Sequence, residues 1–159
     1  MEKMKRDLLI LSYLRQNSRM KLTDMSRASR IPVSTLFDRI VDFESRGIIK
    51  RLTSLVKFEC FGYRGRALVV LSTDKKDRDK LLQLLEDNRN VNSLYKINNG
   101  WDFMAELIFP GLKEVEDFVE DIEEQVALKN KKVFYIIDEL KKEKFMANPE
   151  TVKLSGALT

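Results

Sequence analysis

Ser34, Thr35 and Asp38 lie in a segment, Val33 to Ser45, whose apolar residues Leu36, Ile40 and Phe43 recur at spacings of four and three. On a helix that spacing turns the apolar residues to one side. Ser34, Thr35 and Asp38 are left on or near the other, flanked by Val33 and Phe37. Hydroxyls that donate or accept, a carboxylate that accepts from a cytosine amino group, and apolar groups that meet a thymine methyl together suit the reading of base edges in a DNA major groove. Lys21, Arg27, Arg30, Arg39, Lys50, Arg51 and Lys57 surround the segment and are candidates for phosphate contacts. Arg39 carries a structural alternative, because it sits at the edge of the inner face within reach of Asp42 or Glu44.

Elements that would position these residues are legible on either side. Leu22, Met25 and Ala28 share a face in the preceding segment, and Ser29-Arg30-Ile31-Pro32 interrupts it. Pro32 cannot donate to a continuing helix, and it restrains Ile31 before it. Gly47 then supplies a stop. Two short helices at a sharp angle form the helix-turn-helix plan, with Val33 to Ser45 as the recognition helix. Residues 48–53 and 55–61 read as two short strands, with Val56, Phe58 and Cys60 alternating with Lys57 and Glu59. That predicts a basic wing carrying Lys50, Arg51 and Lys57 beside the groove.

Charge distribution agrees. Residues 1–66 hold 15 Lys+Arg against 7 Asp+Glu, a net of +8, whereas residues 67–159 hold 14 against 18, a net of −4. A basic head on an acidic body is the footprint of a phosphate-binding domain. The chain has no histidine, which removes the commonest general base and metal ligand. Cys60 is the single cysteine, so neither a disulfide framework nor a cysteine metal site is available. No Gly-rich phosphate loop or nucleophile elbow is present. These observations argue against an enzyme and imply no metal and no cofactor. No apolar run reaches about 18 residues, which argues against a membrane span. The N-terminal stretch, with Leu8, Leu9, Leu11 and Leu14, reads as an amphipathic helix rather than a signal peptide. The expected location is the cytoplasm.

After Gly62 and Gly65 the pattern changes. Strands are predicted over 67–72, 91–98, 101–109 and 132–138, and helices over 75–88 and 112–128. Val91, Tyr95 and Ile97 are expected on one face of the second strand. Leu81, Leu82, Leu84 and Leu85 stripe the first helix; Val115, Phe118, Val119, Ile122 and Val126 stripe the second. Asn98-Asn99-Gly100 is a hairpin signal. The order βαββαβ is ferredoxin-like, with both helices on one sheet face. The other face needs a cover, and a second copy of the chain is the economical one, so a homodimer is predicted. The acidic run Glu114 to Glu124 reads as a solvated helix face. The fold class is therefore α+β. An N-terminal winged helix-turn-helix domain (1–60) and a hinge (61–65) precede a ferredoxin-like βαββαβ dimerisation/effector domain (66–140). The tail (141–159) extends the last strand, forms a short helix or frays.

These halves together resemble the leucine-responsive regulator/asparagine-synthase regulator (Lrp/AsnC, feast/famine) family over about residues 3–140. The family pattern Ser/Thr-Thr-Val-x-x-Arg-Ile-x-x-Leu-Glu-x-x-Gly-x-Ile is matched in register by Ser34-Thr35-Leu36, Arg39-Ile40, Phe43-Glu44, Gly47 and Ile49. Arg19-Met20 and Phe61-Gly62 also fall at family positions. The resemblance implies a transcription regulator that binds palindromic double-stranded DNA as a homodimer, often stacked into octamers. It also implies an amino-acid or other small-molecule effector near the hairpin between the second and third strands, here Asn98, Asn99, Gly100, Trp101 and Asp102. Trp101-Asp102 match the end of that motif, but Asn99 stands at its glycine. Lys21 stands where the family prefers a Ser or Thr helix cap. Two alternatives are an enzyme similar to the sirohaem decarboxylases, whose chemistry implicates histidines, and a ligand-sensing dimer with a vestigial DNA-binding domain.

Overall fold

The computed structural model describes residues 2–154. The chain divides into two compact units: one of Met1–Ser54 together with the segment from Leu140 on, the other of Leu55–Glu139.

The first unit holds α1 (Glu2–Gln16), α2 (Leu22–Ser29) and α3 (Val33–Ser45), with α6 (Pro149–Leu154) from the tail packed against α1. Its core is Ile10, Tyr13, Met25, Ile31, Leu36 and Phe43. In α1 the apolar residues driven deepest are Ile10 and Tyr13, while Leu9, Leu11 and Leu14 pack at the margin. In α2, Met25 is buried but Ala28 is exposed, because each three-residue step falls about 60° short of a full turn and the series 22, 25, 28 drifts off the inward face. The turn between α2 and α3 forms as the residues require. Arg30 closes α2 in the left-handed region (φ 60°), Ile31 is buried, and Pro32 stands at the N-cap of α3. Gly47 (φ +66°) ends α3; its N–H donates to Glu44 O, and Ile48 N–H donates to Phe43 O at 2.8 Å.

The wing strands expected over 48–53 and 55–61 do not form. Residues 51–57 carry no regular structure, and Phe58–Phe61 is a single 3-10 turn. Leu52, Leu55, Val56 and Phe61 are all exposed. An isolated two-stranded ribbon with no face to pack is marginal in water, so alternation alone does not make a strand here.

The second unit is the ferredoxin-like arrangement. β1 (Gly65–Thr73), α4 (Arg78–Asp87), β2 (Val91–Lys96), β3 (Phe103–Phe109), α5 (Leu112–Gln125) and β4 (Leu128–Tyr135) follow in that order. The antiparallel sheet has strand order β2-β3-β1-β4. Ala67, Val69 and Leu71 of β1 and Ala105, Leu107 and Phe109 of β3 meet Leu81 and Leu85 of α4 and Val115, Phe118, Val119 and Ile122 of α5. One expected face is corrected. The ladder shifts register between Val91 and Ser93, so Val91 and Leu94 both reach the core and Tyr95 turns to the opposite face. A bulge inserts one residue and inverts the alternation beyond it. At the start of β1, Gly65 lies so close to the Gly111 backbone that any Cβ would fall 2.1 Å from Gly111 O.

Candidate nucleic-acid interface

Burial of Leu36 and Phe43 fixes the rotation of α3 in its unit. Ser34 and Asp38 are therefore exposed and Thr35 is half-buried. Val33, Phe37 and Val41 face solvent at 41, 58 and 47% of their full exposure. Val41 was missed in the sequence, although it stands one helical turn beyond Phe37 and the spacing alone placed it beside that ring.

Arg39 is drawn inward. Its Nε donates to Asp7 Oδ1 at 2.9 Å, its Nη2 to Asp7 Oδ2 at 2.5 Å, and its Nη1 lies 3.1 Å from Asp42 Oδ2. The guanidinium also stands 5.1 Å from the centroid of the Phe43 ring. The hydrogen bonds that Arg39 donates to Asp7 hold its pKa above the ordinary arginine value, the Asp7 and Asp42 charges adding to this and outweighing the opposing effect of burial. Such a bidentate pair ties α1 to α3 and leaves the guanidinium committed to positioning the helix. No local pattern singles out Asp7, which stands 32 residues before its partner.

The remaining basic candidates are exposed. Lys21 occupies the N-cap of α2 and makes no side-chain cap there. Arg27 pairs loosely with Asp24 at 3.3 Å, and Arg30 sits in the turn. Lys50 and Arg51 follow α3, whereas Lys57 belongs to the second unit and precedes its 3-10 turn. Lys21, Arg27, Arg30, Lys50 and Arg51 thus share one unit with α3.

The second candidate region is the hairpin between β2 and β3. Asn99 and Gly100 both have positive φ, 63° and 85°, the signature of a type I′ turn. Asn98, Asn99 and Gly100 are exposed. Trp101 is half-buried, with Lys132 Nζ 5.5 Å from its ring centroid. Asp102 is buried and already partnered: Thr73 N–H donates to its Oδ2 at 2.9 Å, and Arg78 Nε lies 2.6 Å from its Oδ1. Its backbone N–H donates to Leu71 O and its carbonyl accepts from Ile97 N–H, each at 3.0 Å. The carboxylate is therefore part of the junction between β1 and the hairpin. Among the described residues no cluster of His, Cys, Asp or Glu suits a metal ion. No helix among them is long and apolar enough to cross a membrane.

On the sheet face away from α4 and α5, Arg66 donates to Glu106 from Nε at 2.9 Å and Nη2 at 2.5 Å and lies 2.6 Å from Glu139. Asn92 Nδ2 donates to the other Glu106 oxygen at 2.6 Å. Burial works against the Arg66 charge, yet the hydrogen bonds to Glu106 and Glu139 outweigh it and raise the arginine's pKa. Around this pair the face is apolar: Leu68, Val70, Met104 and Ile108 by strand alternation, with Tyr95 and Phe134 about half exposed.

Comparison with known proteins agrees with this architecture. Residues 5–50 match the family model described as winged helix-turn-helix DNA-binding. An HTH-type transcriptional regulator of Pyrococcus abyssi is 28% identical over 78% of this chain and 81% of its own length. The HTH-type transcriptional regulator LrpC of Bacillus subtilis is 25% identical over 71% of this chain and 78% of its own. The solved LrpC structure superposes with a TM-score of 0.77 at 22% identity, covering 86% of this chain and 96% of LrpC. A Neisseria meningitidis transcriptional regulator solved as an L-Met complex gives 0.78 at 19% identity, over 86% and 91%.

Proposed function

We propose that the chain is a transcription regulator of the Lrp/AsnC type that binds palindromic operators as a homodimer, with α3 in the major groove, a reading supported by the winged helix-turn-helix match over residues 5–50 and the likeness to LrpC. The observation that supports this reading best is the outer side of α3. Ser34, Phe37, Asp38 and Val41 present varied chemistry to solvent, while Leu36 and Phe43 hold the helix in place. Lys21, Arg27, Arg30, Lys50 and Arg51 supply the phosphate contacts and Arg39 keeps a positioning role; Lys57, in the second unit, is left out of this surface. A regulator rather than an enzyme is the reading that the relatives' descriptions favour, and its place is the compartment that holds the DNA.

Dimerisation falls to the sheet face of Leu68, Val70, Met104, Ile108, Tyr95 and Phe134, which α4 and α5 leave uncovered. A two-fold axis through that face gives two recognition helices and hence half-sites a whole number of DNA turns apart. Higher assembly into octamers rests on the family likeness alone. The L-Met complex of the Neisseria protein supports an amino acid as the class of effector; its proposed place, beside Asn98, Asn99, Gly100, Trp101 and Asp102, rests on the hairpin's match to the family motif. Asp102 would then share its carboxylate between the ligand and Arg78.

A gel shift with the full chain on the DNA upstream of its own gene tests the central reading. Specific retardation is expected. Replacing each phosphate-contacting cation should reduce the salt slope by about 0.9. Sedimentation at micromolar concentration should give a dimer, and a monomer would refute the assembly. Calorimetry against the twenty amino acids tests the effector.

A further inference from the structure

α3 holds one cation, Arg39, and three carboxylates, Asp38, Asp42 and Glu44. Arg39 is clamped by Asp7 and Asp42 with its side chain only 17% exposed. The helix therefore offers no guanidinium or ammonium to the O6 and N7 acceptors of guanine, the commonest specific contact in major-groove readout. Its outer side offers Val33, Phe37 and Val41 at successive intervals of four residues, all exposed, beside exposed Ser34 and Asp38. These three apolar side chains fill no core in their unit, to which α3 contributes Leu36 and Phe43. In a major groove the apolar feature among the base edges is the C5 methyl group of thymine. Asp38 can only accept, so it complements an exocyclic amino group of cytosine or adenine.

We propose that the half-site is read chiefly through thymine methyl groups, with Phe37 and Val41 as the specificity-determining residues and Asp38 selecting an amino-bearing base beside them. The inference rests on the DNA-binding reading above. It divides the labour of binding. Lys21, Arg27, Arg30, Lys50 and Arg51 set affinity and its salt dependence, whereas α3, net negative, adds selectivity without counterion release.

The full-length chain is used to select sites from a random duplex pool. In the selected duplex each thymine is replaced in turn by deoxyuridine, which lacks only the C5 methyl. At contacted positions the substitution is expected to weaken binding about fourfold, the equivalent of one methyl-sized group removed from apolar contact, with the salt slope unchanged. Phe37→Ala should bind the thymine and uracil duplexes equally at one such position, and Val41→Ala at its neighbour. Both residues are exposed, and thermal melting should show each variant folded like wild type. Specific binding that changes less than twofold on uracil substitution throughout the half-site would overturn methyl readout while leaving DNA binding intact. A Phe37→Ala, Val41→Ala double variant that keeps the full thymine preference would do the same. Failure to enrich any sequence would overturn the DNA-binding reading itself, and this inference with it.

Discussion

Replacing Asp102 with alanine separates a structural carboxylate from a ligand-binding one. Asp102 Oδ2 is the acceptor for Thr73 N–H at 2.9 Å, and Thr73 is 3% exposed. Removing that acceptor strands a buried N–H, a loss of roughly 1–3 kcal/mol. The Arg78 pair at 2.6 Å adds little, below ~1 kcal/mol, because the arginine side chain is 45% exposed and solvent screens it. Asp102→Ala should therefore destabilise the Leu55–Glu139 unit by about 2 kcal/mol. For a unit of this size the melting point should fall by roughly 10 °C. Asp102→Asn keeps an oxygen for Thr73 N–H and loses only the charge, so its melting point should fall by about a quarter as much. Circular dichroism melts of the full chain and both variants supply the measurement. An alanine variant melting within 2 °C of wild type would refute the reasoning, as would an asparagine variant as damaged as alanine. The pair of variants also decides how an effector titration is read. Heat lost in Asp102→Ala alone reports a loosened hairpin, whereas heat lost in Asp102→Asn, with the fold kept, reports an ammonium partner.

Phe43→Ala, at a site 1% exposed, should cost the first unit about 3–5 kcal/mol and abolish DNA binding through unfolding, read as a lost or lowered melting transition. The Asp74 carboxyl, held below the ordinary carboxylate range by its hydrogen bond and charge pairing with Lys129 at 2.8 Å, should titrate low by carbon-detected NMR and return toward normal in Lys129→Ala. Because the folded-state value is depressed, this contact stabilises the fold above the ordinary aspartate value and is lost as pH falls through the depressed one. Truncation after Glu139 removes α6, whose Lys153 lies over the Tyr13 ring, and the carbonyl of Phe145, to which Arg15 Nε donates at 2.6 Å. Amide exchange along α1 should accelerate; unchanged protection there would show that the tail contributes nothing to the unit.

Local periodicity carried most of the fold. The order of strands and helices in the βαββαβ unit is legible because most are amphipathic segments set off by Gly, Asn or Pro, and the apolar residues of α5 recur at a spacing that admits one inward stripe; β4 is displaced, running Leu128–Tyr135 rather than 132–138, because α5 stops at Gln125 and no Gly, Asn or Pro marks the junction. The type I′ turn at Asn99-Gly100 is legible for a similar reason, since few residue pairs tolerate two positive φ values. What escaped was set by tertiary partners. The bulge beside Asn92 moves Tyr95 off the core, and nothing local announces it. The 48–61 segment alternates as a strand would, yet finds no edge to pair with among the described residues. The return of residues 140–154 to the first unit depends on contacts with Arg15 and Tyr13, more than a hundred positions earlier.

On α3 the rule that charge faces water and apolar groups face the core fails in both directions, and the two failures are linked. Arg39 reads as a phosphate contact by charge, but its carboxylate partner Asp7 lies 32 residues away on α1 and turns it inward. Val41 is apolar, but Leu36, Ile40 and Phe43 occupy the inner arc, so it is left outside with Phe37. Had Arg39 stayed in solvent, the outer side of the helix would have carried the donor that usually reads guanine. Its withdrawal, together with the outward turn of Val41, leaves that side apolar and acidic. In the proposed complex, the chemistry that α3 brings to a base edge is therefore set by the Arg39–Asp7 ion pair away from its exposed apolar side.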